Sequence, residues 1–459
     1  MISSAYLGLL FFIAFLEINR KKENHFDFLT LFNIIFALMY PLPAFVLDAD
    51  FAARAELSFR STLYISNPQT ALAIFLGYFF VIIGFYSSDA QKYGKFIFIE
   101  TRSDNFVTVY AVLLLLFSCV SIQIYSSQYG NFLYAISNAG LIRAGAATEE
   151  GGALGFFKHL MLFSIFSSYL FGSFVLSKKF WKWRLILYTT FLISVVIAVV
   201  TCLMEGSRMI LITYFLVWYL VWVLKTGRLS LQFTIPVLCF IALFLLYGKP
   251  IAFSLTALPD GYVAVWERFQ EYLSNQPDSG FNFYKFMGNF VYPIHSLDAA
   301  INTQYNMRLF LDWLYAFATI LPERLLNVDV PDTITVYNTE YIVGPVDYSI
   351  PPGFLAFGFY SLSWAGVIIV CLTYGWIGRY LQTIFKNNIH AVPWMPFIYV
   401  LTAKLWIDFQ TAGDPRVFIM FNLWCLLSTL PFFFIASKIS ISKNKNKKRP
   451  VRKSCVHRY

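Results

Sequence analysis

The sequence predicts an all-α fold: a polytopic membrane bundle of about eleven spanning helices with one large loop subdomain on its outer side. Three observations predict it. The 459 residues are 58% hydrophobic and only 13% charged, with a mean hydropathy of +0.62, a balance that a water-soluble domain does not reach. The apolar residues gather into runs long enough to cross a hydrocarbon core of about 30 Å. Between those runs, Lys and Arg crowd into every second connection, which is how membrane proteins record their orientation.

The runs fall near 2–18, 27–47, 69–87, 105–124, 156–176, 185–203, 209–224, 231–248, 354–377, 391–410 and 417–437. The first lacks a small-residue cleavage signature and reads as a retained span. Arg20, Lys21 and Lys22 follow the first run, Lys92, Lys95 and Arg102 the third, and Lys178, Lys179, Lys182 and Arg184 the fifth. Lys225 with Arg228, Arg379 with Lys386, and a tail holding nine basic residues continue the series, so about 23 of the 35 basic residues lie on one side. That side is expected to be cytoplasmic, which places the N-terminus outside and the C-terminus inside. Four regions follow: a bundle over 1–248, a loop subdomain over 249–353, further spans over 354–437 and a basic tail over 438–459.

The net charge of +10 is accounted for by this arrangement, since a basic tail is drawn to the anionic lipid of the bilayer. Nothing in it calls for nucleic acid. Cys119, Cys202, Cys239, Cys371 and Cys425 sit in spans and Cys455 in the tail, with no Cys-x-x-Cys pair. They suggest neither a metal site nor a disulfide framework.

The candidate chemistry lies on the outer side. Arg143 stands in the 125–155 connection, Arg208 in the turn Glu205-Gly206-Ser207-Arg208, and Arg416 in Asp414-Pro415-Arg416 before the last span. One arginine at a helix end can simply snorkel to a headgroup. Three on one face suit the forked recognition of phosphate oxygens. His295 could take a proton from an attacking hydroxyl, with Glu205, Asp347 and Asp414 as competing bases. Lys404 and Asp408 are one turn apart and read as a mutually neutralising pair. The long loop also brings aromatic residues such as Trp266, Tyr272 and Tyr292, which suit either a sugar face or a membrane interface. Leu309 to Leu321 is apolar but too short to span and reads as an interfacial or re-entrant helix.

With these residues in place, the chain resembles the bacterial O-antigen polymerase family and is similar in layout to the enterobacterial common antigen polymerases. The resemblance rests on Gly206-Ser207-Arg208 opening a span, Leu141-Ile142-Arg143, Leu321-Pro322-Glu323-Arg324 followed by Asn338, Ser349-Ile350-Pro351-Pro352-Gly353 leading into Gly358-Phe359-Tyr360, and Asp414-Pro415-Arg416-Val417-Phe418. Two positions depart from the family pattern. Leu154 stands where some members have Gly after Arg143, and the position resembling His295 is acidic in others. The resemblance implies a GT-C-type fold in the cytoplasmic membrane and glycosyl transfer on the periplasmic face. It also implies an undecaprenyl-pyrophosphate-linked oligosaccharide as donor, a lipid-linked acceptor, and a separate chain-length regulator as partner.

The expected reaction is an inverting polymerisation of repeat units without a metal or other cofactor. Arg143, Arg208 and Arg416 hold diphosphate, Arg324, Tyr292, Asn338 and Tyr360 bind substrate, and His295, Glu205 or Asp414 acts beside Arg208 in the chemistry. One alternative is a polyprenyl-phosphate-sugar transferase with a metal at Asp48-Ala49-Asp50. Another is a flippase for the lipid-linked glycan, although internal repeats typical of such carriers are not evident.

Overall fold

The computed structural model describes residues 2–22, 26–49, 67–143, 155–177, 184–275, 283–303, 305–318, 320, 330–346, 349–389 and 391–441. The elements begin with α1 (Ile2–Asn19), α2 (Phe28–Met39), α3 (Pro41–Ala49), α4 (Pro68–Phe85), α5 (Ser88–Gly94), β1 (Ile97–Thr101) and α6 (Asp104–Ser127). Next come α7 (Phe132–Arg143), α8 (Phe156–Met161), α9 (Phe163–Leu176), α10 (Arg184–Met204), α11 (Arg208–Thr226) and α12 (Leu231–Ser254). The loop region supplies α13 (Tyr262–Ser274), α14 (Phe283–Met287), α15 (Tyr292–Asn302), α16 (Asp312–Ala318) and α17 (Ile334–Val343). The chain closes with α18 (Gly353–Asn388), α19 (Met395–Ala412), α20 (Pro415–Ala436) and β2 (Ser437–Ile441). Local chemistry sets several boundaries. Asp27 caps α2 and pairs reciprocally with Thr30, Asn67 precedes Pro68 at the start of α4, and Gly227 and Gly413 end α11 and α19 in the left-handed region.

Among the described residues, nine helical segments are long and apolar enough to cross a membrane, or ten if the bent pair Leu231–Phe244 and Leu246–Asp260 is one span. The protein is therefore a polytopic helical membrane protein. Ten of the eleven expected runs correspond to these segments. The remaining run, 391–410, is α19, which lies outside that set because Lys404, Asp408 and Gln410 interrupt its apolar character. Instead of facing lipid it runs through the protein interior, with Met395 to Leu401 and Trp406 buried. By contrast α10 exposes Leu185, Ile186, Leu192, Ile193 and Val196, a surface suited to lipid.

The run expected as a single span over 354–377 is different. The backbone of α18 leaves helical geometry at Leu362 and Ser363, and its first nine residues fold back along the rest. Phe354 consequently lies beside Tyr374, the two rings tilted by 39° with centroids 5.2 Å apart. Gly358 and Gly366 allow the two arms to touch: a Cβ on Gly366 would lie 1.9 Å from the Gly358 carbonyl oxygen. Gly84 and Gly375 let α4 and the long arm of α18 approach equally closely.

One end of the bundle is closed by an antiparallel ribbon pairing Ile97–Thr101 with Ser437–Ile441. The Asn388 side chain accepts from Ile99 N–H at 3.0 Å and donates to the Ile97 carbonyl at 3.2 Å, fixing α18 to the ribbon. At the same end Arg20 donates to both Asp27 and Glu17. The opposite end carries α15, α16 and α17. There α15 is held by Asp298, which accepts from Asn67 and Thr70 of α4.

Candidate functional site

At the end opposite the ribbon, a cavity of about 600 Å3 opens between α11, α15, α19 and α20. Its charged and polar lining includes Glu205, Arg208, Tyr292, Lys404, Asp408 and Asn422. The rest of the wall is mainly apolar, including Ile165, Val217, Leu401, Phe418 and Trp424. The turn that presents Glu205 and Arg208 is tightly specified. Gly206 has φ +65°, and a Cβ there would lie 2.8 Å from the Ala139 carbonyl oxygen. On the other flank a Cβ on Gly248 of α12 would lie 2.9 Å from Arg208 Cδ, so α12 packs against the arginine stem.

Arg208 occupies the first turn of α11, where the helix dipole disfavours a cation. An anion approaching this point meets the guanidinium and the helix N-terminus together. Lys404, from the facing wall, is paired with Asp408 and donates to Asn422 Oδ1 at 2.7 Å. The pairing expected from sequence is present, but it forms part of the cavity wall. Its carboxylate leaves the Lys404 and Asp408 pair without net charge, while Arg208 and Glu205 make a second opposite pair of groups on the same lining.

Three expected catalytic or binding residues are scaffold here. Asp414 is fully buried and its carboxylate is consumed. Oδ1 accepts from the N–H groups of Arg416 and Val417, and Oδ2 accepts from the N–H and hydroxyl of Thr335, both at 3.0 Å. It caps α20 and ties α17 to it, a correction to the expected role as a base. Asn338 donates to Ser296 Oγ and to the Ile350 carbonyl and accepts from the Tyr360 hydroxyl. It therefore locks α15, α17 and α18 together, with both amide hydrogens engaged within the protein. His295 is on α15 but is not among the residues lining the cavity. Burial pushes its imidazole down to about 4, which makes it a weak base near neutrality. Its neighbour Tyr292 does reach the cavity, and burial raises its phenol.

Arg416 is 7% exposed and is not among the residues lining this cavity. Its Nη2 lies 3.7 Å from Asp312 and its guanidinium sits over the Tyr315 ring. Among the described residues its Nε and Nη2 make no hydrogen bond. Arg143 ends α7, and its side chain lies outside the described residues, as do Asp50, Arg324 and Asp347 entirely. Arg208 and Arg416 thus share one end of the bundle, and among the described residues the cavity lining holds Arg208 and Lys404 but not Arg416.

A second cavity of about 550 Å3 lies nearby, bounded by Tyr305, Asn306, Arg308, Tyr337 and Tyr360. Of these only Tyr360 was singled out from sequence. Arg308 grips buried Asp312 through Nε at 2.9 Å and Nη2 at 3.0 Å, and Nη2 also donates to the Asp332 carbonyl. The signal available in sequence was the Arg308-x-x-x-Asp312 spacing, which reads as an ordinary helical ion pair. Compared with protein-family models, curated proteins and solved structures, the chain matches none of them.

Proposed function

We propose that this protein polymerises undecaprenyl-pyrophosphate-linked oligosaccharide repeat units, by inverting glycosyl transfer on the periplasmic face of a bacterial cytoplasmic membrane. The observation that carries the reading is the cavity walled by apolar side chains and presenting Arg208, Glu205 and Lys404. A lipid diphosphate has the matching halves, an apolar tail and a dianionic head. In this reading Arg208 grips the donor diphosphate, and Lys404, whose charge Asp408 offsets, adds an N–H donor from the facing wall. Glu205 takes the proton of the acceptor hydroxyl as that oxygen attacks the anomeric carbon from the face opposite the diphosphate. The anomeric C–O bond breaks, its electron pair leaves on the diphosphate, and the guanidinium offsets the charge that accumulates there. Because protein cations compensate that charge, the step is written without a metal. Orientation is supported by the basic residues Arg20, Lys22, Lys92, Arg102, Arg379, Lys386 and Lys438, which gather toward the ribbon end and so favour it as cytoplasmic.

The test replaces Arg208 with Ala in cells that lack the native copy. Surface glycan is expected to collapse from a ladder to a single repeat, a rate loss of about a hundredfold or more. Unchanged long chains overturn the reading. A lipid-linked intermediate trapped on the inner leaflet overturns it in favour of a flippase.

A further inference from the structure

We propose that the cavity bounded by Tyr305, Asn306, Arg308, Tyr337 and Tyr360 is a binding subsite for an uncharged pyranose ring of the acceptor glycan. The assignment of that ring to an acceptor rests on the polymerase reading above. The cavity is large enough for a small ligand, and its chemistry contrasts with that of the deeper one. There, a few charged groups, Lys404 with Asp408 and Arg208 beside Glu205, interrupt a mainly apolar wall. Here the single cation on the lining, Arg308, is bound to Asp312, a carboxylate it shares with Arg416, so its charge is partly offset and the cavity offers mainly ring faces and hydrogen-bonding groups. That combination suits a polyhydroxylated ring, whose C–H faces pack on aromatic rings while its hydroxyls meet polar edges.

The tyrosines are held ready. Tyr305 meets Tyr360 edge-on at 72°, with centroids 5.0 Å apart, and Tyr337 meets it at 86° and 5.8 Å. The Tyr305 hydroxyl donates to the Phe359 carbonyl at 2.6 Å and the Tyr360 hydroxyl to Asn338 Oδ1 at 3.2 Å. Burial pushes the Tyr305 phenol up to about 12, so it remains a donor throughout the physiological range. The N–H groups of Arg308 and Leu309 donate to the carbonyls of Tyr360 and Ser361, pinning this loop to the turn of α18. Leu309 and Phe310 then take positive φ values of 48° and 60°, a cost for bulky residues that the surrounding bonds sustain. A fixed site loses little entropy when a flexible glycan docks. The position is also consistent with an acceptor: Tyr360 near the turn of α18 borders this cavity, while Pro351, just before the start of the same element, borders the deeper one.

The experiment is saturation-transfer NMR on the full-length protein in lipid nanodiscs, with glucose, N-acetylglucosamine, glucuronate and phosphoethanolamine as separate probes. Transfer to the ring protons of at least one neutral pyranose is expected. It should fall about fivefold in Tyr337→Ala, persist in Tyr337→Phe, and be unchanged in Arg208→Ala. Asn306→Trp, which fills the cavity from an exposed position, should abolish it, and covers the case in which Tyr337→Ala does not fold. Transfer to none of the neutral sugars, to phosphoethanolamine alone, or equally in Asn306→Trp overturns the subsite. Because binding is read without turnover, this failure is separate from failure of the polymerase reading. In cells, Tyr337→Ala should give shortened chains, distinct from the single repeat left by Arg208→Ala.

Discussion

A cation in the first turn of a helix opposes the local dipole, and Arg208 and Arg416 both stand in that position. Their surroundings separate them. Arg208 lines a chamber large enough for a ligand, whereas Arg416 is held against Asp312 and Tyr315. Residue types around a turn made Glu205 and Arg208 legible in the sequence, and the aromatic content of the long loop did the same for Tyr292. They could not distinguish a catalytic acid from a capping one, and Asp414 before Pro415 is the capping kind. Asp414→Ala should therefore lower stability by on the order of 2 to 3 kcal/mol, through the lost cap and the unsatisfied Thr335 donors, as read by thermal unfolding in detergent. An unmoved transition with lost activity would restore it as a base. His295 makes a prediction of opposite kind. Its folded pKa lies below the ordinary value, so between pH 6.5 and about 4 the unfolded chain binds more protons and stability falls as pH falls. His295→Gln should flatten that slope in unfolding measured across the same window, while leaving the neutral-pH rate close to that of the parent. Lys404 and Asp408 were visible as a helical pair, but sequence spacing cannot say whether a pair faces lipid, protein or a chamber.

Helical content and span positions were largely legible because each apolar run carries its own signal of length and hydropathy. The course of α18 was not. Nothing in Ser361-Leu362-Ser363 is a strong helix breaker, and the first arm is as apolar as the second, so a doubled-back hairpin and a straight span share one composition. The evidence for the fold-back is distributed over contacts: Gly358 against Gly366, and Phe354 against Tyr374. Gly366→Val should drive a side chain into the opposing carbonyl and destabilise by about 3 kcal/mol, whereas Gly8→Ala, which meets nothing within 4 Å, should be neutral. Comparison of the two variants' unfolding temperatures checks it, and equal behaviour would remove the hairpin. The loop carrying Arg308 escaped notice for a related reason. Tyr305, Tyr337 and Tyr360 are spread over three elements, and only the fold makes them neighbours.

At the scale of the whole molecule, alternating charge sorts the connections onto two sides without revealing which helices touch. The described geometry agrees with that sorting where basic residues mark the ribbon end, and it adds the interior position of α19. The proposed orientation predicts that Tyr262→Cys, at a residue 86% exposed, reacts with a membrane-impermeant maleimide in intact cells. Ser440→Cys, on β2, should react only after permeabilisation. Native Cys119 and Cys239 are exposed on the bundle surface and should be replaced first. Labelling of Ser440→Cys from outside, with Tyr262→Cys protected until permeabilisation, would reverse the topology. The two-stranded ribbon also has a consequence for biogenesis. Its second half is made long after its first, so Ile99 and Glu100 wait for partners some 340 residues away in the chain, at Ile439 and Lys438. Until β2 emerges from the ribosome and seats itself, the nascent bundle keeps an unpaired edge. A message cut short before codon 437 should therefore yield a chain that inserts into the bilayer yet is recognised by quality-control proteases as unfinished.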